Sequence, residues 1–403
     1  MNAQTGVYQL PNSNFEQWEA GVKLDGTTST VQEPVGWSSY ATGTGGLIPT
    51  ALILGLSNHP TQENRGTADN PNYYVRLYSA NLAGMVNLNG FLTTGVIQIE
   101  DMQPITSLNN DAFTFATSTD PGANNFRQPF TGRPDALKAL VKYTPVSQGA
   151  SDIGAVSAWI HTAADFQSRA AETPADIAEK AVANATLVLS PTETRDEWKE
   201  LIAPFDYVAR ENEPAYILIS ALTNAAFGGG SAGDELLLDD VEMVYYSTLT
   251  DIKVGGESIE GFDEDTKVYN FEGSAPALSD IEAVAKSPWA TVEEATSETE
   301  GDVTTITIVV KGNDFDVSGN SETYQLVYTS SDSSNEKVVK DGPSVYTSGG
   351  QVYVTGFEGK ATVYTTNGQA VTEKTIAGSG NFSLPAGIYI VRTNKKSTII
   401  VVK

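Results

Sequence analysis

The sequence predicts an all-β protein. Apolar residues recur with period two in short runs, Gly-, Asn- and Pro-rich connections separate those runs, and a single stretch has helical composition. In Tyr73-Tyr-Val-Arg-Leu-Tyr78 the alternation puts Tyr73, Val75 and Leu77 on one side and Tyr74, Arg76 and Tyr78 on the other. The runs at 96–100, 137–143, 155–161, 216–222 and 236–246 read in the same way, with long connections at 58–72 and 117–129. Many strands joined by long loops predict a double-sheet jelly roll over residues 1–248. The helical stretch is 174–183, with Thr173 as its cap and Pro174 at its first position.

A second segment, 249–341, opens with Asp251-Ile-Lys-Val-Gly-Gly256 and continues with period-two runs at 304–310 and 323–328; its size and strand spacing suit a small immunoglobulin-like sandwich. A third, 342–403, reads as a stack of strands: Gln351-Val-Tyr-Val354, Ala361-Thr-Val-Tyr364, 384–391 and 398–402. The Asn367-Gly368 turn supplies the positive φ that a tight hairpin needs.

The 403 residues include 40% hydrophobic and 18% charged ones, so the chain can bury full cores. The net charge is −26, yet the third segment sets Lys360, Lys374, Arg392, Lys395, Lys396 and Lys403 against only Glu358 and Glu373. The acidic remainder repels phosphate backbones and anionic headgroups, which argues against nucleic-acid and membrane-surface partners and favours neutral ligands such as glycans. No run of eighteen apolar residues offers a transmembrane segment. With no cysteine, thiol nucleophiles and Cys-ligated metals are excluded; with only His59 and His161, so is a His-rich metal site.

The third segment resembles the C-terminal sorting-domain-like tail of secreted and cell-surface proteins of Gram-negative anaerobes. Leu10-Pro-Asn-Ser-Asn-Phe-Glu-Gln-Trp18, Pro34-Val-Gly-Trp37, Gly132-Arg-Pro-Asp135 running into Lys142-Tyr-Thr-Pro145, and Asp234-Glu-Leu-Leu-Leu-Asp-Asp-Val-Glu-Met-Val-Tyr245 resemble the "putative carbohydrate metabolism domain" family of gut-anaerobe surface proteins. The first and last of these pieces are also similar to jelly-roll sugar-binding modules. Gly255-Gly-Glu-Ser-Ile-Glu-Gly-Phe-Asp263 is similar to immunoglobulin-like modules attached to such proteins. The resemblance implies a secreted, cell-surface or outer-membrane-associated protein with a glycan-related role, and a glycan or polysaccharide and other cell-surface proteins as partners.

Sugar rings present apolar C–H faces to aromatic planes, while Arg and Asn side chains bond the hydroxyl rim. Tyr74, Arg76 and Tyr78 form a row opposite an apolar row and are the first carbohydrate-binding candidates; Trp159 is another. Tyr40 can be a contact or a core residue, whereas Trp18 and Trp37, beside Phe15 and a Pro-Gly turn, read as core. Arg133 is either a turn residue or a donor to sugar hydroxyls or a uronate. His161 is either a structural histidine or a sugar ligand or base.

Glu16, Asp239 and Asp240 are the acids that the first and last motifs nominate. They can supply part of a structural calcium site, which wants six to eight hard oxygens, or they can be solvated or bonded to backbone amides. No other cofactor is required. The same three are the candidate catalytic carboxylates of a glycoside hydrolase, the main alternative to carbohydrate binding, since hydrolysis needs two carboxyl groups flanking the bond. A structural surface adhesin is the remaining alternative.

Overall fold

The protein is described from a computed structural model over residues 6–48, 59–82, 84, 86–100, 111–147, 153–168, 174–190, 194, 197–225, 230–330, 343–394 and 396–403. It is an all-β sandwich protein. The first 248 residues supply β1 (Trp18–Val22), β2 (Thr28–Pro34), β3 (Thr61–Asn64), β4 (Tyr73–Tyr78), β5 (Ala80–Leu82), β6 (Val86–Leu88), β7 (Phe91–Thr93), β8 (Val96–Gln98) and β9 (Asp111–Thr114). They continue with β10 (Gln128–Pro129), β11 (Ala136–Thr144), β12 (Gly154–His161), β13 (Phe166–Gln167), helix α1 (Pro174–Lys180), β14 (Ala181–Leu189), β15 (Lys199–Pro204), β16 (Tyr216–Leu222) and β17 (Glu235–Val244).

Two antiparallel sheets form the sandwich: β15-β11-β17-β4-β3, and β10-β16-β12-β14 with β7 beside β16. The chain crosses between them at β11 to β12, β14 to β15, β15 to β16 and β16 to β17, the alternation of a jelly roll. Val75, Leu77, Leu137, Val141, Leu236 and Leu238 turn inward from the first sheet. They meet Val156, Ile160, Ala185, Leu187, Ile217 and Ile219 of the second in one buried cluster.

The second sheet is covered on most of its other face as well, except along the edge strand β14, where Thr186 and Val188 are exposed. A three-stranded layer, β13-β9-β8, brings Ile97, Ala112 and Phe166 against Trp159 and Leu218, with Tyr40 and Phe91 completing a second cluster. Along β12 only Ser157 is half-exposed. The first sheet is different: β11 alternates buried and half-exposed residues from Leu137 to Thr144, so its outer face is open.

The strand expected at 73–78 and that at 216–222 occur with those bounds. The expected connection at 58–72 contains the edge strand β3. The helix is shorter than expected, because Ala181–Leu189 is a strand whose Ala183 and Ala185 pair with Ile160 and Ala158. Tertiary pairing overrides the helix preference of alanine there. The expected cap Thr173 lies outside the described residues.

The N-terminal motif is a double turn. Asn12 and Phe15 take positive φ, 51° and 53°. The Asn12 amide holds the turn by donating to the Gln17 and Val35 carbonyls at 2.9 and 3.1 Å while its Oδ1 accepts from Gln17 N–H at 2.8 Å. Phe15 thereby drops into the core and Glu16 stays outside it.

Residues 249–329 form a smaller sandwich of β18 (Leu249–Val254), β19 (Glu257–Ser258), β20 (Val268–Glu272), β21 (Ile281–Ala285), β22 (Thr291–Val292), β23 (Thr296–Glu300), β24 (Val303–Lys311) and β25 (Ser321–Thr329). One sheet is β19-β18-β21; the other is β20-β25-β24-β22 with β23 beside β24, and Ile252, Ile306, Ile308, Tyr324 and Leu326 fill the space between them. This module is fixed to the jelly roll. Asn320 donates to the Tyr245 carbonyl at 3.0 Å and accepts from Ser247 Oγ at 2.8 Å. Trp289 lies 4.7 Å from the Tyr207 ring and carries the Arg133 guanidinium 4.8 Å above its centroid.

The described residues fall into two compact units, one ending at Ser330 and one beyond it. The second contains β26 (Ser344–Ser348), β27 (Gln351–Thr365), β28 (Ala370–Ser383), β29 (Gly387–Arg392) and β30 (Ser397–Val402), in the order β26-β27-β29-β30 with β28 beside β27. Its own core includes Val352, Val354, Val363, Phe382, Val391 and Ile400. The runs expected as separate strands at 351–354 and 361–364 are one long strand, and Gly368 takes the turn's positive φ of 83°. Among the described residues no helix is long and apolar enough to cross a membrane.

Trp289→Ala removes the ring on which two arginines and Tyr207 rest. We expect it to destabilise the first unit by about 2–4 kcal/mol, somewhat less than truncation of a fully buried aromatic, because Trp289 is half-buried. Thermal unfolding with the isolated 343–403 unit as reference would check this; an unshifted first transition would contradict the docking.

Candidate functional site

The outer face of the β15-β11-β17-β4-β3 sheet gathers polar and aromatic side chains. On β4, Val75 and Leu77 are buried while Tyr74, Arg76 and Tyr78 are half-buried and face outward, as the alternation requires. Trp198, just before β15 at the opposite edge, meets Tyr74 edge-on at 5.1 Å between centroids and 81° between planes. Arg65, from the β3–β4 connection, lies over the Trp198 ring at 5.3 Å, and Arg76 lies over Tyr78 at 4.9 Å. The result is an aromatic ledge with a guanidinium at each end.

Three cations of this face, Arg65, Arg76 and Lys138, are held by carboxylates, whereas Lys142, in the same outward row of β11, has no carboxylate partner among the described residues. Arg76 pairs diagonally with Glu235 of β17, the residue opposite Tyr78. Lys138 lies 2.7 Å from Glu242 and 3.7 Å from Glu200. Arg65 Nη2 stands 2.8 Å from Asp239 Oδ2 and 3.2 Å from Asp240 Oδ2. Next to this network is a pocket of about 430 Å3 whose walls include Gln9, Ser13, Lys138, Glu200, Asp240 and Glu242.

A bulge in β17 explains why two successive acids reach one guanidinium. Register with β11 slips between Lys138 and Leu140, and Asp240 takes a φ of 47°. Asp239 is buried, with Oδ1 accepting from Asp240 N–H at 2.8 Å, while Asp240 is exposed. The N-terminal double turn packs beside the bulge through Val241 N–H to the Ser13 carbonyl at 3.0 Å and Met243 N–H to Gln9 Oε1 at 2.9 Å. Burial, and secondarily the Asp240 charge, push the Asp239 carboxyl up to about 7.

The structure brings Glu16, Asp239 and Asp240 into one neighbourhood but not as a calcium site. Glu16 Oε1 accepts the Tyr73 N–H at 2.9 Å, and the Arg65 guanidinium takes the place a cation would need between the aspartates. Among the described residues no group of three or more His, Asp or Glu side chains could hold a metal ion. The donor set does not fit calcium.

Three carbohydrate candidates are corrected by burial or by partners. Trp159 and His161 face the covered side of the second sheet, under the β13-β9-β8 layer. His161 stacks on Phe166 at 4.6 Å with Nδ1 2.8 Å from the Thr162 carbonyl, and burial lowers its pKa to about 4. Arg133 donates to the Arg210 and Asn212 carbonyls at 3.1 and 2.8 Å and stacks on Trp289, so it joins the two modules. Trp37 and Tyr40 are core, and Trp18 packs against the core from its edge. Arg65 and Trp198 were not foreseen, since each lies in a connection with no period-two pattern around it.

No protein-family profile and no curated protein matches the chain. Among solved structures, a "putative glycoside hydrolase" from Bacteroides thetaiotaomicron is similar at 16% identity and a TM-score of 0.36, over 60% of this chain and 72% of that one. The CBM22-1 and GH10 modules of Clostridium thermocellum endo-1,4-β-D-xylanase 10B, complexed with xylohexaose, are similar at 12% identity and a TM-score of 0.25, over 66% of this chain and 33% of that one. An arabinose-bound α-L-arabinofuranosidase gives 10% identity, a TM-score of 0.21 and coverage of 60% and 29%. Scores this low leave the functional reading to the residues of the chain itself.

The raised Asp239 pKa sets a pH dependence. Folding favours its neutral form, so the stability it contributes is full below the unfolded value near 4 and is lost as pH rises through about 7. We expect wild-type stability to fall between pH 5 and pH 8 more steeply than that of Asp239→Asn, as read from denaturant midpoints. Parallel pH profiles for the two proteins would contradict this.

Proposed function

We propose that the first domain binds a neutral glycan on the outer face of its five-stranded sheet. The observation that carries the reading is the ledge of Tyr74, Trp198 and Tyr78, whose flanking arginines are already paired with Asp239, Asp240 and Glu235. Aromatic planes take the C–H face of a sugar, and fixed, charge-compensated donors and acceptors suit hydroxyl groups. A pocket of about 430 Å3 beside the ledge gives room for one or two rings. An acidic polysaccharide fits less well, because Arg65, Arg76 and Lys138 already have carboxylate partners and Lys142 alone would have to meet its charge amid the acids of this face.

The hydrolase alternative is favoured by one feature, a protonated Asp239 beside Asp240 near neutral pH. Against it, Asp239 does not line the pocket: its Oδ1 accepts the Asp240 N–H and its Oδ2 is buried, 2.8 Å from Arg65 Nη2. Binding is the better reading. Surface display through the C-terminal unit belongs to the same proposal and is supported by its resemblance to sorting tails.

A glycan array with the full chain should show binding to neutral polysaccharides that changes little between 50 and 500 mM salt. Trp198→Ala and Tyr74→Ala should each weaken it about tenfold or more, ~1.4 kcal/mol. Wild-type silence across the array, or unaltered affinity in both variants, counts against the reading. Removing residues 342–403 should leave binding intact and abolish retention at the cell surface in a fractionation assay; retention of the truncated chain would refute the anchoring part.

A further inference from the structure

We propose that a second groove, across the edge strand β3 from the aromatic ledge, is a further subsite for a neutral sugar, extending the glycan site. The inference rests on the glycan reading above. The groove has a volume of about 650 Å3, and Glu16, Trp18 and His59 are among the residues that line it.

Its walls are strand edges. Thr30, Val31 and Gln32, consecutive in β2, border it on one side, and Thr61 and Gln62, consecutive in β3, border it on the other. Successive side chains of a strand point to opposite faces, so a groove touching neighbours in sequence runs along an edge. Among the described residues β2 pairs only with β1 and β3 only with β4, which leaves each a second edge outside the ladders, on which the Val31 N–H donates to Ser29 Oγ at 3.1 Å. Such edges offer donors and acceptors in alternation, the pattern a row of hydroxyls can use.

Trp18 supplies the apolar plane. Its indole packs against the main core and its Nε1–H donates to the Phe15 carbonyl at 2.8 Å, so the ring is already fixed and its exposed part is free to stack. Around it stand the amides Gln32 and Gln62 and the hydroxyls Thr30 and Thr61, with no lysine or arginine in the lining. A phosphate or uronate would find no permanent cation there, and an uncharged polyol finds an aromatic face, two amides and two hydroxyls.

Glu16 joins this groove to the ledge. It lines the groove, and its Oε1 accepts the N–H of Tyr73, the residue before Tyr74 of the ledge. One glycan chain can therefore occupy both subsites by crossing β3, and affinity should rise with chain length.

The test is calorimetry with the full chain and neutral di- to hexasaccharides of β-1,4-linked xylose and glucose and of α-1,5-linked arabinose. Gln32 and Gln62 are exposed, so the Gln32→Ala/Gln62→Ala double variant keeps the fold. It should lose about tenfold in hexasaccharide affinity and little in disaccharide affinity, whereas Trp198→Ala should lose both. Trp18→Phe, which keeps a ring on the core, should lose less than the double variant. Hexasaccharide affinity that is unchanged in the double variant overturns the second subsite while leaving the ledge intact. Absence of wild-type binding to every oligosaccharide overturns the ledge and the groove together.

Discussion

A sheet buried on both faces cannot receive a ligand without displacing part of its core, and this decides where the protein can act. The β13-β9-β8 layer closes the outer face of the second sheet over β12 and β16, with Ile97, Ala112 and Phe166 over Trp159 and Leu218, and leaves the edge strand β14 with exposed outward residues. Water-exposed, ligand-sized area is left to the other sheet and to the rims. The open face is then free to carry tyrosines, a tryptophan and paired charges in place of a second apolar layer.

Charge compensation on that face solves a local problem of an acidic chain. Asp239 is buried and Asp240 sits beside it, so an uncompensated pair would be costly. Arg65 supplies the compensation and in the same act is held over Trp198. Rigidity of the ledge and neutralisation of the bulge are thus one interaction.

Much of the fold was legible in the sequence because the open sheet alternates. Tyr73–Tyr78 could be assigned both its span and its outward row from period two alone, and the outward row is the one that forms the ledge. The doubly covered strands gave weaker guidance. Gly154–His161 is buried almost throughout, so its aromatic and imidazole side chains looked like surface candidates when they are core. Trp198 and Arg65 depend on contacts between residues more than a hundred positions apart in the chain, which no local pattern encodes. The same limit applies to Asp239 and Asp240: the doublet was visible, but the bulge that makes one buried and the other exposed was not.

The Arg133–Trp289–Arg210 stack gives the smaller module a role in mechanics. Trp289 is gripped by two guanidinium groups at 4.8 and 5.7 Å, and Arg133 is itself tied to two backbone carbonyls of the jelly roll. Because β25 ends at Thr329, force entering the first unit at Ser330 reaches the jelly roll by way of the smaller module and its contacts, this grip among them. The stack is therefore a joint between the two modules that lies apart from the open sheet face and its aromatic ledge.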